Sequence, residues 1–169
     1  MAIAPIQLLA GDKVGWVWAW DPEAGFKKLA GSLEQMPNGI AISKDNRHVY
    51  INVYMGNKTI KLDRESGERL GEFAVQQPDN ITLDDEGQLW VASHKHNPIL
   101  ENCNDVESGP CLLPFEIVKA NAQTMQAEVV LSHDGEPMGY STVGLHHGGH
   151  LYLGSAHGDR IARFTLNEG

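Results

Sequence analysis

The sequence predicts an all-β protein, a β-propeller of four-stranded antiparallel blades of which this chain holds about half. Two observations predict it. One hairpin pattern occurs three times, and helical periodicity is nowhere convincing. The clearest copy follows Pro78-Asp79-Asn80: a short strand at Ile81–Leu83, an Asp84-Asp85-Glu86-Gly87 turn, and a return strand at Leu89–Ser93. An earlier copy spans Met36–Val53 and a weaker one Ser141–Ser155. Aligning Ile42, Leu83 and Leu145 brings one aromatic of each return strand, Tyr50, Trp90 and Tyr152, into register. The first interval is about 41 residues, the period of a four-stranded blade. The second is about 62, and the stretch from Asn97 to Pro114 supplies the insertion it needs.

In chain order, Gly15–Trp20 is strongly β-prone, Asp21–Gly25 turns, and Phe26–Ala30 returns. These two strands read as the outer pair of a blade whose inner pair is absent. A complete blade follows at Gly39–Ser43, Val49–Tyr54, Lys58–Asp63 and Arg69–Val75. The next, also complete, has strands at Asn80–Leu83, Leu89–His94, Phe115–Ala120 and Ala127–Ser132. The last has Thr142–Leu145, Leu151–Ser155 and Ile161–Leu166. The chain is thus read as one partial propeller unit, 1–169, with two complete and two partial blades at about 12–31, 36–76, 78–133 and 139–167. Such a count cannot close a ring of four to eight blades, and unpaired strand edges invite pairing. Either the chain is part of a longer parent, or a homo-oligomer completes the ring through the open edges.

With 22 acidic against 13 basic residues the formal charge is −9, and no Lys/Arg cluster offers a phosphate-tracking patch, so no nucleic-acid partner is expected. No apolar run approaches membrane-spanning length, and Met1–Leu9 lacks a basic n-region and a proper h-region. The expectation is a soluble chain without membrane contact or export signal. Cys103 and Cys111 close a short, loop-rich segment. A disulfide there would imply a periplasmic or secreted protein, while the missing signal points to the cytoplasm; both readings stay open.

In a propeller the first strand of each blade lines the central channel. Asn38 precedes one such strand and Asp79-Asn80 the next, so repeat-equivalent positions carry two amide oxygens and a carboxylate toward one axis. Hard oxygen donors without a thiolate suit Ca²⁺ better than Zn²⁺, although Ca²⁺ takes six to eight oxygens as a rule. Asn and Asp also favour turns for local reasons, and the recurrence at equivalent positions is what argues for a site. His146, His147 and His150 are read as a solvated turn, since neighbours on a strand face opposite sides. His157 is a candidate for the channel mouth, and His96 and His133 are read as loop residues. The Trp16, Trp18, Trp20 stripe alternates with period two and reads as blade packing or a subunit interface. No Gly-x-Ser-x-Gly, Walker or dinucleotide fingerprint occurs.

Pro37-Asn38-Gly39-Ile40 followed by Lys44–Ile51 resembles the inner hairpin of the paraoxonase/arylesterase propellers and of their gluconolactonase (regucalcin-like) and strictosidine-synthase-like relatives. Asp79-Asn80-Ile81 with Asp84 and Leu89–His94 resembles the next blade of a paraoxonase, and Gly139–Val143 with Gly149, Leu151 and Leu153-Gly154 resembles the closing one. The resemblance covers nearly the whole chain but only the C-terminal half of a six-bladed member. It implies that Asn38, Asp79 and Asn80 hold a catalytic calcium, and that His94 sits near the pocket and serves proton transfer or substrate placement. It also implies a small-molecule ester or lactone as substrate. The family's other metal ligands and its water-activating His pair belong to the half not represented here. The readings carried forward are a calcium-dependent lactonase/arylesterase-like hydrolase unit, a non-catalytic half-propeller that binds a partner, and a strictosidine-synthase-like protein.

Overall fold

The computed structural model describes residues 10–98, 100–104 and 106–166; the Met1–Leu9 start lies outside them. Among these residues there are thirteen β-strands, and no helix long and apolar enough to cross a membrane. The strands form four antiparallel sheets. The first pairs β1 (Trp18–Asp21) with β2 (Gly25–Lys28). The second orders β3 (Pro37–Ile42), β4 (His48–Val53), β5 (Lys58–Asp63) and β6 (Arg69–Ala74). The third orders β7 (Pro78–Leu83), β8 (Gln88–His94), β9 (Phe115–Asn121) and β10 (Ala127–His133). The fourth has β11 (Ser141–His147), β12 (His150–Ser155) and β13 (Ala162–Thr165). This is the expected all-β architecture of partial propeller blades, and β3 meets β7 as β7 meets β11, so the first strands stand side by side.

Alternation explains how the sheets stack. On β4, Val49, Ile51 and Val53 are buried in a cluster with Leu29 behind β2, while Tyr50 points the other way into a cluster with Ile81, Leu89 and Val91 of the next sheet. On β8, Leu89 and Val91 face back, and Trp90 and Ala92 face forward to Leu151 and Leu153 of the fourth sheet. Each middle strand is therefore buried on both faces and reads as a near-continuous apolar run. Of the register aromatics, Tyr50 ties sheet to sheet, donating its hydroxyl to Ala122 O at 2.9 Å, whereas Trp90 donates Nε1–H to Asp84 Oδ2, 2.8 Å away in the turn of its own blade. Glu34, 1% exposed, anchors the first sheet's return to the second through Lys13 and Arg69.

Several strand limits and histidine environments differ from expectation. Gly15 makes only a single bridge, to Glu34, and the first strand starts at Trp18, with Lys28 laid over the Trp16 and Trp18 rings. The first strands of the blades begin earlier than expected, at the turn residues themselves. His146 is not a solvated turn residue: its ring stacks on Trp90 at 4.6 Å and its Nδ1 lies 3.3 Å from Asp84 Oδ2. His146 and His147 close β11, His150 opens β12, and the turn between them is Gly148-Gly149. His96 does lie in a loop but is 6% exposed, and His133 ends β10 stacked on Phe115. Cys103 and Cys111 are joined in a disulfide.

Candidate functional site

The first strand of each blade carries the same backbone device. Met36, Gln77 and Tyr140, the residues just ahead of β3, β7 and β11, all have positive φ, at 59°, 39° and 50°. Non-glycine residues rarely adopt this conformation, and it collects at functional sites. Each of their carbonyls is held by the blade's second strand: Met36 O accepts from Tyr54 N at 3.0 Å, Gln77 O from His94 N at 3.2 Å, and Tyr140 O from Ser155 Oγ at 2.9 Å. A register shift follows at once, between Pro37 and Ile40, between Pro78 and Ile81, and between Ser141 and Val143. Each is a one-residue bulge, which bends the strand and re-aims side chains. The bulges hold Asn38-Gly39, Asp79-Asn80 and Thr142.

Adjacent bulges touch. A Cβ on Gly39 would lie 2.4 Å from Asp79 O and 2.7 Å from Asn80 Cα, so only glycine lets β3 approach β7 this closely. Asn52 Nδ2 donates to Asp79 O at 2.7 Å, and Asn80 Nδ2 donates to Thr142 O at 2.8 Å. The second of these bonds uses one of the two Asn80 amide hydrogens, and its Oδ1 accepts no hydrogen bond among the described residues. The Asn38 side chain is exposed and makes no hydrogen bond among the described residues. The Asp79 side chain is 16% exposed, yet no donor among the described residues lies within hydrogen-bond distance of its carboxylate; its nearest partner is His94 Nε2 at 3.7 Å. Burial alone pushes the Asp79 carboxyl up to about 6.

His94 lies fully buried behind Asp79. Its Nε2 is 3.1 Å from Ser141 O and its Nδ1 3.0 Å from Tyr54 Oη. Tyr140 stacks on the ring at 4.2 Å, and His96 lies 5.5 Å away. Burial, assisted by the neighbouring His96, pulls the His94 imidazole down to about 4, so it is neutral at pH 7. His96 Nδ1 is buried without a hydrogen-bond partner among the described residues. Tyr54 also bonds Gln77 Oε1 at 3.2 Å, and Gln77 Nε2 donates to His96 O at 2.6 Å.

Asn38, Asp79, Asn80 and His94 thus fall at one end of two adjacent blades. His157 lies in the turn after β12, its carbonyl accepting from Cys111 N at 2.9 Å, and it shares no side-chain hydrogen bond with the group around Asp79 and His94. Tyr54, Gln77 and Tyr140 escaped the sequence reading. The repeat could have found them, since Tyr54, the residue after β4, bonds Met36 O as His94, the last of β8, bonds Gln77 O, and Gln77 and Tyr140 occupy the position ahead of the bulge. Among the described residues no set of three His, Cys, Asp or Glu side chains is arranged to hold a metal. The donor chemistry fits a hard cation in part: a largely buried carboxylate with no donor in reach among the described residues, on a bulge it shares with Asn80 and next to the bulge that carries Asn38.

Comparison with known proteins places the architecture. The protein named strictosidine synthase-like 13 of Arabidopsis thaliana is 31% identical over 90 residues, covering 50% of this chain and 22% of that one. A luciferin-regenerating enzyme superposes with a TM-score of 0.53 at 19% identity, over 82% of this chain and 43% of the other. Sqt1 of Saccharomyces cerevisiae superposes with a TM-score of 0.56 at 13% identity, over 91% of this chain and 41% of its own. The two structures share the fold alone. The chain spans 22% of the curated relative and 41–43% of these structures. A family model describing arylesterases matches residues 17–161, nearly the whole repeat-bearing stretch, and the chain therefore belongs to the arylesterase family.

Proposed function

We propose that this chain is a unit of a calcium-dependent hydrolase acting on small-molecule esters or lactones. The observation that carries the reading is Asp79: a largely buried carboxylate at a bulge, with no hydrogen-bond donor in reach among the described residues, on the same bulge as Asn80 and next to the one that carries Asn38. An unpaired buried charge is costly, and a cation in contact with it offsets that cost. Asn38, Asp79 and Asn80 would hold Ca²⁺. The ion, when bound, would act as a Lewis acid on the substrate carbonyl and stabilise the developing oxyanion. Three side chains fall short of the six to eight oxygens calcium takes, so water and protein outside this set supply the rest. A second half of a longer protein or a mate in a dimer would contribute them. His94 lies one layer behind the carboxylate and acts on its placement rather than on substrate directly. The Cys103–Cys111 disulfide suits an oxidising compartment, periplasmic or extracellular.

A specific observation favours a second reading, a non-catalytic half-propeller that binds a partner. Trp18, Trp20 and Phe26 on the first sheet are 54%, 63% and 73% exposed, and Ile161 beside β13 is 77% exposed. A third reading, a strictosidine-synthase-like protein, predicts no metal dependence. Turnover of an aryl ester and a lactone, with and without excess Ca²⁺, separates them when run beside Asp79→Ala and Asn38→Ala. The hydrolase reading expects calcium-dependent turnover that both substitutions abolish, and turnover indifferent to both removes the metal mechanism. Calcium-dependent thermal stabilisation without turnover favours the binding reading. Light scattering at micromolar concentration tests the oligomer, and a clean monomer removes a dimer-completed site.

A further inference from the structure

The hydrogens around His94 can be counted. Ser141 O only accepts, so His94 Nε2, 3.1 Å away, carries the proton of the neutral ring. Nδ1 is then a bare lone pair, buried, with Tyr54 Oη 3.0 Å from it. Gln77 cannot supply that lone pair with a proton. Its Nε2 is committed to His96 O at 2.6 Å, which turns Oε1 toward Tyr54 as a second acceptor at 3.2 Å. Tyr140 stacks on the flat of the ring, out of line with either nitrogen. Among the described residues, Tyr54 is the group whose hydroxyl reaches Nδ1. Its single proton goes there, at 3.0 Å, rather than to Gln77 Oε1 at 3.2 Å, because an Nε2–H ring offers only a lone pair at Nδ1, and the neighbouring Tyr140 hydroxyl is left to donate to the Tyr54 oxygen. The opposite tautomer would set a bare Nε2 against two acceptors, Ser141 O and Asp79 Oδ2 at 3.7 Å, with no solvent to separate them.

We propose that Tyr54 is a positioning residue: by donating to Nδ1 it holds His94 as the Nε2–H tautomer, so that an N–H and not a lone pair stands behind the Asp79 carboxylate. Burial raises the Tyr54 phenol, so the hydroxyl keeps the proton it donates, and the two distances, 3.0 Å to Nδ1 and 3.1 Å from Nε2 to Ser141 O, set the roles of the ring nitrogens. The bearing of this arrangement on turnover rests on the hydrolytic reading above, whereas the tautomer itself does not.

The test is a long-range ¹H–¹⁵N correlation spectrum of the imidazoles of ¹⁵N-labelled protein at neutral pH, with His94 assigned by its disappearance in His94→Asn. The expected spectrum shows protonated Nε2 and unprotonated, hydrogen-bonded Nδ1. In Tyr54→Phe the Nδ1 resonance moves to the position of a free lone pair, and the Nε2–H exchanges with water roughly tenfold faster, as loss of one buried hydrogen bond implies. Tyr140→Phe, which keeps the Tyr54 hydroxyl, leaves Nδ1 in place. A protonated Nδ1 in the unsubstituted protein overturns the proposal without any variant having to fold, and so does an unmoved Nδ1 in Tyr54→Phe. Ester turnover is followed separately. The stated tautomer without hydrolysis counts against the hydrolase reading alone, and hydrolysis with the opposite tautomer counts against Tyr54 alone.

Discussion

Tyr140 lies face to face with His94, ring centroids 4.2 Å apart and planes 21° from parallel. The backbone of Tyr140 is in turn held by the long insertion, its N–H donating to Leu113 O at 2.8 Å. Two residues earlier is Cys111, bonded to Cys103 and, through its amide, to His157 O at 2.9 Å. The disulfide loop and the ring that packs on the buried histidine are therefore mechanically continuous.

Replacing both cysteines by serine should lower stability by about 2–4 kcal/mol, the usual cost of losing a native disulfide. Hydrogen exchange should accelerate at the Tyr140 amide before it does at core amides such as Ile51. Denaturant melts with and without reductant, read beside exchange, check both. Equal protection of Tyr140 in the two proteins would show that the loop does not hold the ring.

Gly39→Ala probes the contact between bulges. Its Cβ would meet backbone atoms of Asp79 and Asn80 at 2.4 and 2.7 Å, and backbone cannot swing aside as a side chain can. A loss of about 1–3 kcal/mol is expected, typical of overpacking, with weaker calcium binding in the same variant. Urea midpoints measure the first and calorimetric titration the second. An unchanged midpoint would mean that β3 and β7 do not touch at this level.

Asp79 and His94 should give opposite pH dependences of stability. The folded protein holds the Asp79 proton more tightly than the unfolded chain, with a pKa of about 6 against 3.8, so that contribution is present below 3.8 and lost as pH rises through about 6. His94 is the reverse: folding favours its neutral form, with a pKa of about 4 against 6.5, so its contribution is present above 6.5 and lost as pH falls through about 4. The two slopes nearly cancel in the unsubstituted protein. In chelator, Asp79→Asn should uncover a rise in stability of about 2–3 kcal/mol from pH 4 to 6.5, and His94→Gln a fall of similar size. Urea unfolding across that range decides, and parallel curves for all three proteins would refute it.

Asp84→Ala should leave Trp90 Nε1, now bonded at 2.8 Å, buried without an acceptor, and should release His146 from its place on the Trp90 ring. The expected cost is about 1–3 kcal/mol. The red edge of the tryptophan emission should shift as the third and fourth sheets part. Stability equal to that of the parent would assign the cluster to surface decoration.

The amino-acid sequence by itself determined the architecture: alternation along the return strands, Asp/Gly turns and the recurrence of one hairpin place all thirteen strands of the described residues within a few residues of where they lie. These signals are local, carried by neighbours in the chain, and so survive without knowledge of the fold. It also pointed to Asn38, Asp79, Asn80 and His94 through repetition and family resemblance. Tertiary structure alone decided what surrounds them. Tyr54 and His94 are 40 residues apart and His94 and Ser141 are 47 apart, so their contact exists only because three blades pack around one axis. Whether a histidine is solvated, as His146 was expected to be, or wedged against a tryptophan of the preceding blade is set by that packing, and no local periodicity encodes it.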